Sequence, residues 1–223
     1  VKNSKIVPKV IGDAFDLSMK PRKGPVCINL PRNILAEKNT YNINLNKPSF
    51  SSESNLKGNK ERINKATNLL LKSKNPTIIV GAGIKYNSKY REVIKLAELL
   101  NVPIVTAAGH GDAIPFNHKL NAGQMGPRGN PVASRLVKEA DVILAIGTRL
   151  GFNSTFYSYE NINKKAKIIQ IELEKIMIGK YFPVSIGIHA DATIATIQLY
   201  KEIKKQKIKS VSYTHLTLPT TYT

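Results

Sequence analysis

PTIIVGAG, residues 76–83, decides the fold. Thr77 to Val80 is β-branched throughout, starts after a proline and stops on a glycine. A run this short, apolar at every position and not alternating, predicts a strand buried on both faces. The residues that follow it change period: Tyr90, Val93, Ile94, Ala97 and Leu100 share one helical face. The unit is strand, turn, helix. Working outward, the pattern recurs. Pro103 to Thr106 is a second strand, DVILAI at 141–146 a third, Lys167 to Ile171 a fourth and Val184 to Ile188 a fifth. Helical faces lie between or beside them. Ile63, Ala66, Thr67, Leu70 and Leu71 line a helix over Asn59 to Lys74, a short helix spans Asn130 to Ala140, and Asp191 caps a last one that runs to Lys205. Continuous apolar strands separated by helices or long crossovers predict an α/β fold, a doubly wound parallel sheet with helices on both faces.

Further out, the ends have a different character. GPVCINLP at 24–31 reads as a turn and a short strand stopped by its second proline, with Cys27 at a buried strand position. The opening VKNSKIVPKVIGDAF sets Val7, Val10, Ile11 and Phe15 at helical spacing, as though the chain began in the middle of a fold. From Glu37 to Leu56 the sequence is rich in Asn, Ser, Lys and Pro and has no period, which marks a linker. The expected organisation is a remnant of a second, truncated α/β domain at 1–36, a linker at 37–56, a domain at 57–205 and a tail at 206–223. Val211 to Thr220, VSYTHLTLPT, carries no charge and breaks with the lysine-rich usage before it. It back-translates to a sequencing-library adapter, so 211–223 is expected to be non-native.

Composition narrows the function classes. The 223 residues hold 34 Lys and Arg against 15 Asp and Glu, a formal charge of +19. Most of the excess is lysine, scattered and accompanied by asparagine. That reads as a solvated surface, and no nucleic-acid partner is expected. One cysteine excludes an internal disulfide. No stretch approaches the roughly 18 apolar residues of a membrane span, and no signal-peptide pattern opens the chain. A soluble, cytoplasmic protein with no membrane partner is expected.

The chemistry-bearing candidates sit after strands, where ligands of such sheets bind. Gly81-Ala82-Gly83 stands where a strand hands over to a helix whose N-terminal amides can receive phosphate, although a dinucleotide fingerprint would need a third glycine where Tyr86 stands. A tight turn needing small residues explains the pair equally. Gln124 to Gly129, QMGPRG, is a second glycine-rich loop, either a structural turn or a ligand loop in which Arg128 offers a bidentate phosphate contact. Thr148 and Arg149 follow the third strand directly. Glu172 ends the fourth, where it could accept from ribose hydroxyls or simply be a solvated strand end. His110, Asp112 and His118 share one loop, but their spacing fits no metal-ligand pattern and reads as loop polarity. No nucleophile with its base and orienting partner is visible.

Together these segments resemble the acetolactate synthase superfamily of thiamine diphosphate enzymes over residues 5–205. GPVCINLP resembles the last strand of that family's pyrimidine-binding domain. The helix from Asn59, NPTIIVGAG, DVILAIGTRL, KIIQIE and GIHADA follow in the order of its central domain. HGDAIPFNH at 110–118 and GTRLGFNST at 147–155 look like the sulfoacetaldehyde acetyltransferase branch. Acetolactate synthases carry an acidic pair and a second arginine where this chain has Gly151, Phe152 and Asn153.

The resemblance implies thiamine diphosphate and Mg²⁺ in the full-length enzyme, at sites outside this chain, and FAD, ADP or no ligand in the central domain. By position it implies ligand contacts at Gly81, Gly83, Gly126, Thr148, Arg149, Glu172 and Asp191. It further implies a small-molecule substrate and a homo-oligomer, dimer or tetramer. The expected function is a fragment, inactive alone, of a carboligase or acyl-transferring enzyme. The alternatives are an acetolactate synthase large subunit acting on pyruvate and an autonomous nucleotide-binding module of the NAD-binding deacetylase type.

Overall fold

The computed structural model describes residues 1–41, 54–85 and 90–206. Twelve residues of the expected linker, 42–53, and the tail from 207 onward, with its adapter-like string, lie outside them. The chain divides into two compact units, Val1–Ser54 and Asn55–Thr223.

The first unit holds a 3-10 turn, Ser4–Ile6, the helix α1, Val7–Met19, and the short helix α2, Arg32–Ala36. Pro8 sits in the first turn of α1, where its missing N–H costs nothing. The helical spacing is real, yet the apolar face is uncovered: Phe15 is 61% exposed and Leu17 51%. One correction concerns Gly24 to Pro31, which forms no strand, and Cys27, which is exposed rather than buried. A strand exists through its ladder, and an apolar run with no neighbour to pair with stays an extended segment. What order the unit has gathers at Ser4. Its hydroxyl bonds the Glu37 carboxylate, and its carbonyl accepts from the Tyr41 hydroxyl at 3.0 Å.

The second unit runs α3 (Lys60–Leu71), β1 (Pro76–Val80), α4 (Tyr90–Leu100), β2 (Ile104–Thr106), β3 (Asn121–Gln124), α5 (Pro131–Glu139), β4 (Val142–Ile146), α6 (Phe152–Thr155), β5 (Lys167–Glu172), β6 (Ile186–His189) and α7 (Ala192–Lys205). The strands form one parallel sheet in the order β3-β2-β1-β4-β5-β6. Five of them fall on the apolar runs of the sequence. The sixth, β3, is NAGQ, a polar edge strand with one neighbour and a register shift against it.

The two faces of the sheet are covered unequally. Ile78, Val80, Leu144, Ile146, Ile169 and Ile171 point to the side of α3, α4 and α7, where they meet Ile63, Leu70, Leu96 and Leu199. Ile79, Val105, Ile143 and Ala145 point to the other side. There the cover is nine-residue α5, through Ala133 and Val137, plus the crossover from β4 to β5, through Leu150 and Ile162. Nearly all are fully buried, and each large aliphatic side chain so placed contributes about 1.5–3 kcal/mol relative to exposure.

At the amino ends of the strands Asp141 fixes the loop from α3 to β1. It accepts from the Ser73 hydroxyl and from the amides of Lys74 (2.8 Å) and Asn75 (3.0 Å). Burial alone would raise its carboxyl pKa, but these hydrogen bonds outweigh it and hold the group below the ordinary carboxylate value.

Strand order positions the site. From β1 the chain moves outward through β2 and β3, then returns past β1 to β4 and moves outward the other way. The connections leaving the carboxyl ends of β1 and β4 therefore part in opposite directions, and a crevice opens between them.

Candidate functional site

The floor of the crevice is made where the two departing backbones touch. Gly81 N–H donates to the Ile146 carbonyl at 3.1 Å and Gly83 N–H to the Gly147 carbonyl at 3.0 Å. A Cβ on Gly81 would lie 2.7 Å from the Gly147 oxygen, and one on Gly83 2.6 Å from the Gly147 Cα. Gly147 itself sits at φ +58°, in the left-handed region. Close backbone approach thus accounts for all three glycines. The expected hand-over from Gly83 straight into a helix is not observed. Ala82–Ile84 is a 3-10 turn, and α4 is described from Tyr90 onward.

Thr148 and Arg149 form one wall. Thr148 is buried; its hydroxyl accepts from Leu150 N–H at 3.3 Å and its carbonyl from the Gln170 amide at 3.1 Å. Arg149 is exposed. Its guanidinium is close enough to act electrostatically on His110, Tyr157 and Tyr181.

The opposite wall was not foreseen as a unit. Lys85 ends the 3-10 turn after β1 and pairs with Asp112 at 2.7 Å. His110 lies in the loop after β2, with a buried Nδ1 that has no hydrogen-bond partner among the described residues. Its pKa is lowered, first by burial, then by Lys85, with Arg149 adding to the effect and Asp112 opposing it. His118 is elsewhere, with Nε2 3.3 Å from Glu98 and Nδ1 accepting from Leu120 N–H. His110, Asp112 and His118 therefore form no ligand set, and among the described residues no three His, Cys, Asp or Glu side chains gather to hold a metal.

The remaining candidates are spread along the carboxyl edge. Gly126, at φ +104°, packs on α6: a Cβ there would lie 2.9 Å from the Asn153 carbonyl. Ser154 of α6 accepts in turn from Ala108 N–H at 2.9 Å, and Gln124 from Gly109 N–H at 3.0 Å. The loops after β2, β3 and β4 are thereby tied into one rim. Arg128 is exposed on it. Glu172, at the end of β5, accepts the Leu173 amide at 2.9 Å. Asp191 lies beyond β6, where its Oδ1 caps α7 through Thr193 (2.9 Å) and Ile194 (3.1 Å). Of the residues expected from sequence, Gly81, Gly83, Thr148 and Arg149 meet at the crevice. Gly126 joins through α6, Glu172 stands one strand away, and Asp191 lies at the sheet edge.

An aromatic surface also went unread. Phe152 and Phe156 are 4.9 Å apart, Tyr157 stacks on Tyr181 at 4.5 Å, and Phe152, Phe156 and Tyr157 are about half exposed. The run FNSTFYSY carried the signal, four aromatics in eight residues with no regular period.

The sequence matches the family described as thiamine pyrophosphate enzyme, central domain, over residues 63–199. It is 35% identical over 178 residues to the sulfoacetaldehyde acetyltransferase of Roseovarius nubinhibens, covering 79% of this chain and 29% of that protein. It is 32% identical over 214 residues to the acetolactate synthase large subunit of Buchnera aphidicola subsp. Schizaphis graminum, covering 93% of this chain and 36% of that one. The chain thus spans about a third of the length of these curated relatives. In fold it is like the crystal structure of benzoylformate decarboxylase from Polynucleobacter necessarius, with a TM-score of 0.70 and 21% identity over 91% of this chain and 37% of that one.

Proposed function

Because this chain belongs to the thiamine pyrophosphate enzymes and supplies their central domain, we propose that it is the scaffolding and nucleotide-holding part of a thiamine diphosphate-dependent acyl-transferring enzyme. Thiamine diphosphate supplies such an enzyme with a carbanion equivalent that adds to a carbonyl. By the same proposal thiamine diphosphate and its Mg²⁺ belong to parts of the whole enzyme other than this domain, and the chain by itself does not turn over substrate. In the whole protein the substrate is a small molecule and the assembly a homo-oligomer. Placement in the cytoplasm belongs to the same proposal; among the described residues no helix is long and apolar enough to cross a membrane.

The observation that carries the nucleotide role is the crevice at the β1–β4 break, floored by Gly81, Gly83 and Gly147 and flanked by Arg149 and Lys85. Gly83 is exposed there while Gly81 and Gly147 are buried, and two cations flank the break, Arg149 exposed and Lys85 paired with Asp112, a charge pattern suited to a diphosphate. ADP or FAD is the ligand class, with Thr148, Gly126, Glu172 and Asp191 as its further contacts.

Sulfoacetaldehyde acetyltransferase-like chemistry is the reading preferred for the whole enzyme, because Gly151, Phe152 and Asn153 replace the acidic pair and arginine of acetolactate synthases. Conversion of pyruvate to acetolactate is the second reading, supported by the Buchnera match along 93% of the chain.

Calorimetry with ADP, FAD and NAD on the purified chain tests the domain's role. ADP or FAD binding that weakens about tenfold in Arg149→Gln is expected, the loss of one charge-assisted contact. NAD binding with turnover would replace the proposal with an autonomous NAD-dependent module.

A further inference from the structure

We propose that His110 is a ligand-contacting residue of this crevice, sharing a diphosphate-bearing ligand with Lys85 and Arg149 and taking up a proton as the ligand enters. The inference rests on the nucleotide reading above and adds a contact and a proton to it.

The first support is placement. Ala107 N–H donates to the Val80 carbonyl at 2.8 Å, which carries the β1–β2 pairing one residue past the strand. The chain then turns tightly, with His110 N–H on the Ala107 carbonyl at 3.0 Å and Gly109 at φ +83°. The turn is held from outside by Gln124 and Ser154, which accept from Gly109 and Ala108. The backbone at His110 is thereby fixed beyond the carboxyl end of β2, the strand beside β1.

The second support is an unmet hydrogen bond. Nδ1 of His110 is buried and has no hydrogen-bond partner among the described residues. Buried polar atoms are satisfied in nearly all folded proteins, so a ring nitrogen left unmet beside the β1–β4 break is one that a ligand atom would satisfy once the ring turns toward it.

The third support is charge. The groups acting on the imidazole come from three elements: Lys85 after β1, Arg149 after β4, and Asp112 on its own turn. Asp112 is already paired with Lys85. Burial first, then Lys85 and Arg149, lower the His110 pKa against the opposing pull of Asp112. A diphosphate seated between Lys85 and Arg149 reverses the local field and favours the imidazolium. The sign follows: the ligand-bound pKa exceeds the free one, so binding takes up a proton and weakens as pH rises through the bound value.

ADP-ribose is the suitable probe, because its diester diphosphate does not itself titrate near neutrality. Calorimetry on the full chain in two buffers of different ionisation enthalpy, at about pH 6.5 and pH 8, counts the protons. Uptake of a substantial fraction of one proton is expected at the lower pH, with affinity about tenfold lower at the higher. His110→Gln should abolish the uptake and flatten the pH dependence while retaining cooperative unfolding. Asp112→Asn, which frees Lys85, should bind about threefold tighter, a gain that a merely structural role for the loop would not produce. Binding without proton uptake, unchanged in His110→Gln, overturns the inference and leaves the nucleotide site standing. No binding of ADP-ribose or ADP at either pH overturns both.

Discussion

Gly83 and Gly147 meet backbone to backbone: the N–H of one donates to the carbonyl of the other at 3.0 Å, and a Cβ on either would fall 2.6–2.7 Å from the opposite Cα. No side chain fits between them, and neither strand end can retreat because β1 and β4 are paired along five positions. Gly147→Ala adds a left-handed penalty at φ +58° to the clash. Together they should cost about 3 kcal/mol or more, read as a lower urea midpoint. Gly151→Ala meets nothing within 4 Å and should be within about 0.5 kcal/mol of the parent. Equal loss in both variants would show that the contact is not special.

Asp141 gives the second unit an acid-sensitive latch. Its carboxyl pKa is lowered in the folded chain; burial pushes it up, and bonds from Ser73, Lys74 and Asn75 pull it further down. A folded pKa below the unfolded one means the contribution is complete above the unfolded value, about 3.9, and is lost as pH falls through the folded value. Asp141→Ala should therefore lower stability by about 1–3 kcal/mol near neutrality. The gap between variant and parent should close as denaturation is repeated at lower pH. A gap that widens in acid would contradict the latch.

Asp191 bonds two amides at the start of α7. Asp191→Ala should cost about 0.5–2 kcal/mol, whereas Asp191→Asn, which keeps an accepting oxygen, should cost only a fraction of that. Thermal unfolding of the two variants separates a capping role from a dependence on charge, since the latter would make them alike.

Limited trypsin digestion should cut within residues 1–36 first and leave 57–205 intact. Lys20, Arg22 and Lys23 lie just past α1 in a unit with two helices, no strand among its described residues, and Phe15, Leu17 and Leu35 exposed. Residues 57–205 carry the six-stranded sheet and both buried clusters. Cleavage proceeds where local opening is cheap. Fragments of even size appearing together would refute the expected order.

The central strands were legible because burial on both faces leaves no choice of residue: PTIIV and DVILAI are apolar at nearly every position. NAGQ was not. An edge strand has one neighbour and tolerates polar side chains, so it carries no periodic signal. GPVCINLP erred the other way, since apolar composition was present and a pairing partner was not. Arg149 could be placed from sequence because it follows DVILAI directly. The meeting of Lys85, His110 and Arg149 could not, because it depends on strand order setting β2, β1 and β4 side by side, and the order is a property of the whole sheet.

The stacked tyrosines give the domain a readout of its own. The chain has no tryptophan, so its near-ultraviolet absorption and emission come mainly from tyrosine. Tyr157 and Tyr181 lie ring on ring at 4.5 Å, within the electrostatic reach of Arg149. A ligand that neutralises Arg149 changes the surroundings of both phenols at once. Occupancy of the crevice can therefore be followed optically, without a label and without an engineered chromophore.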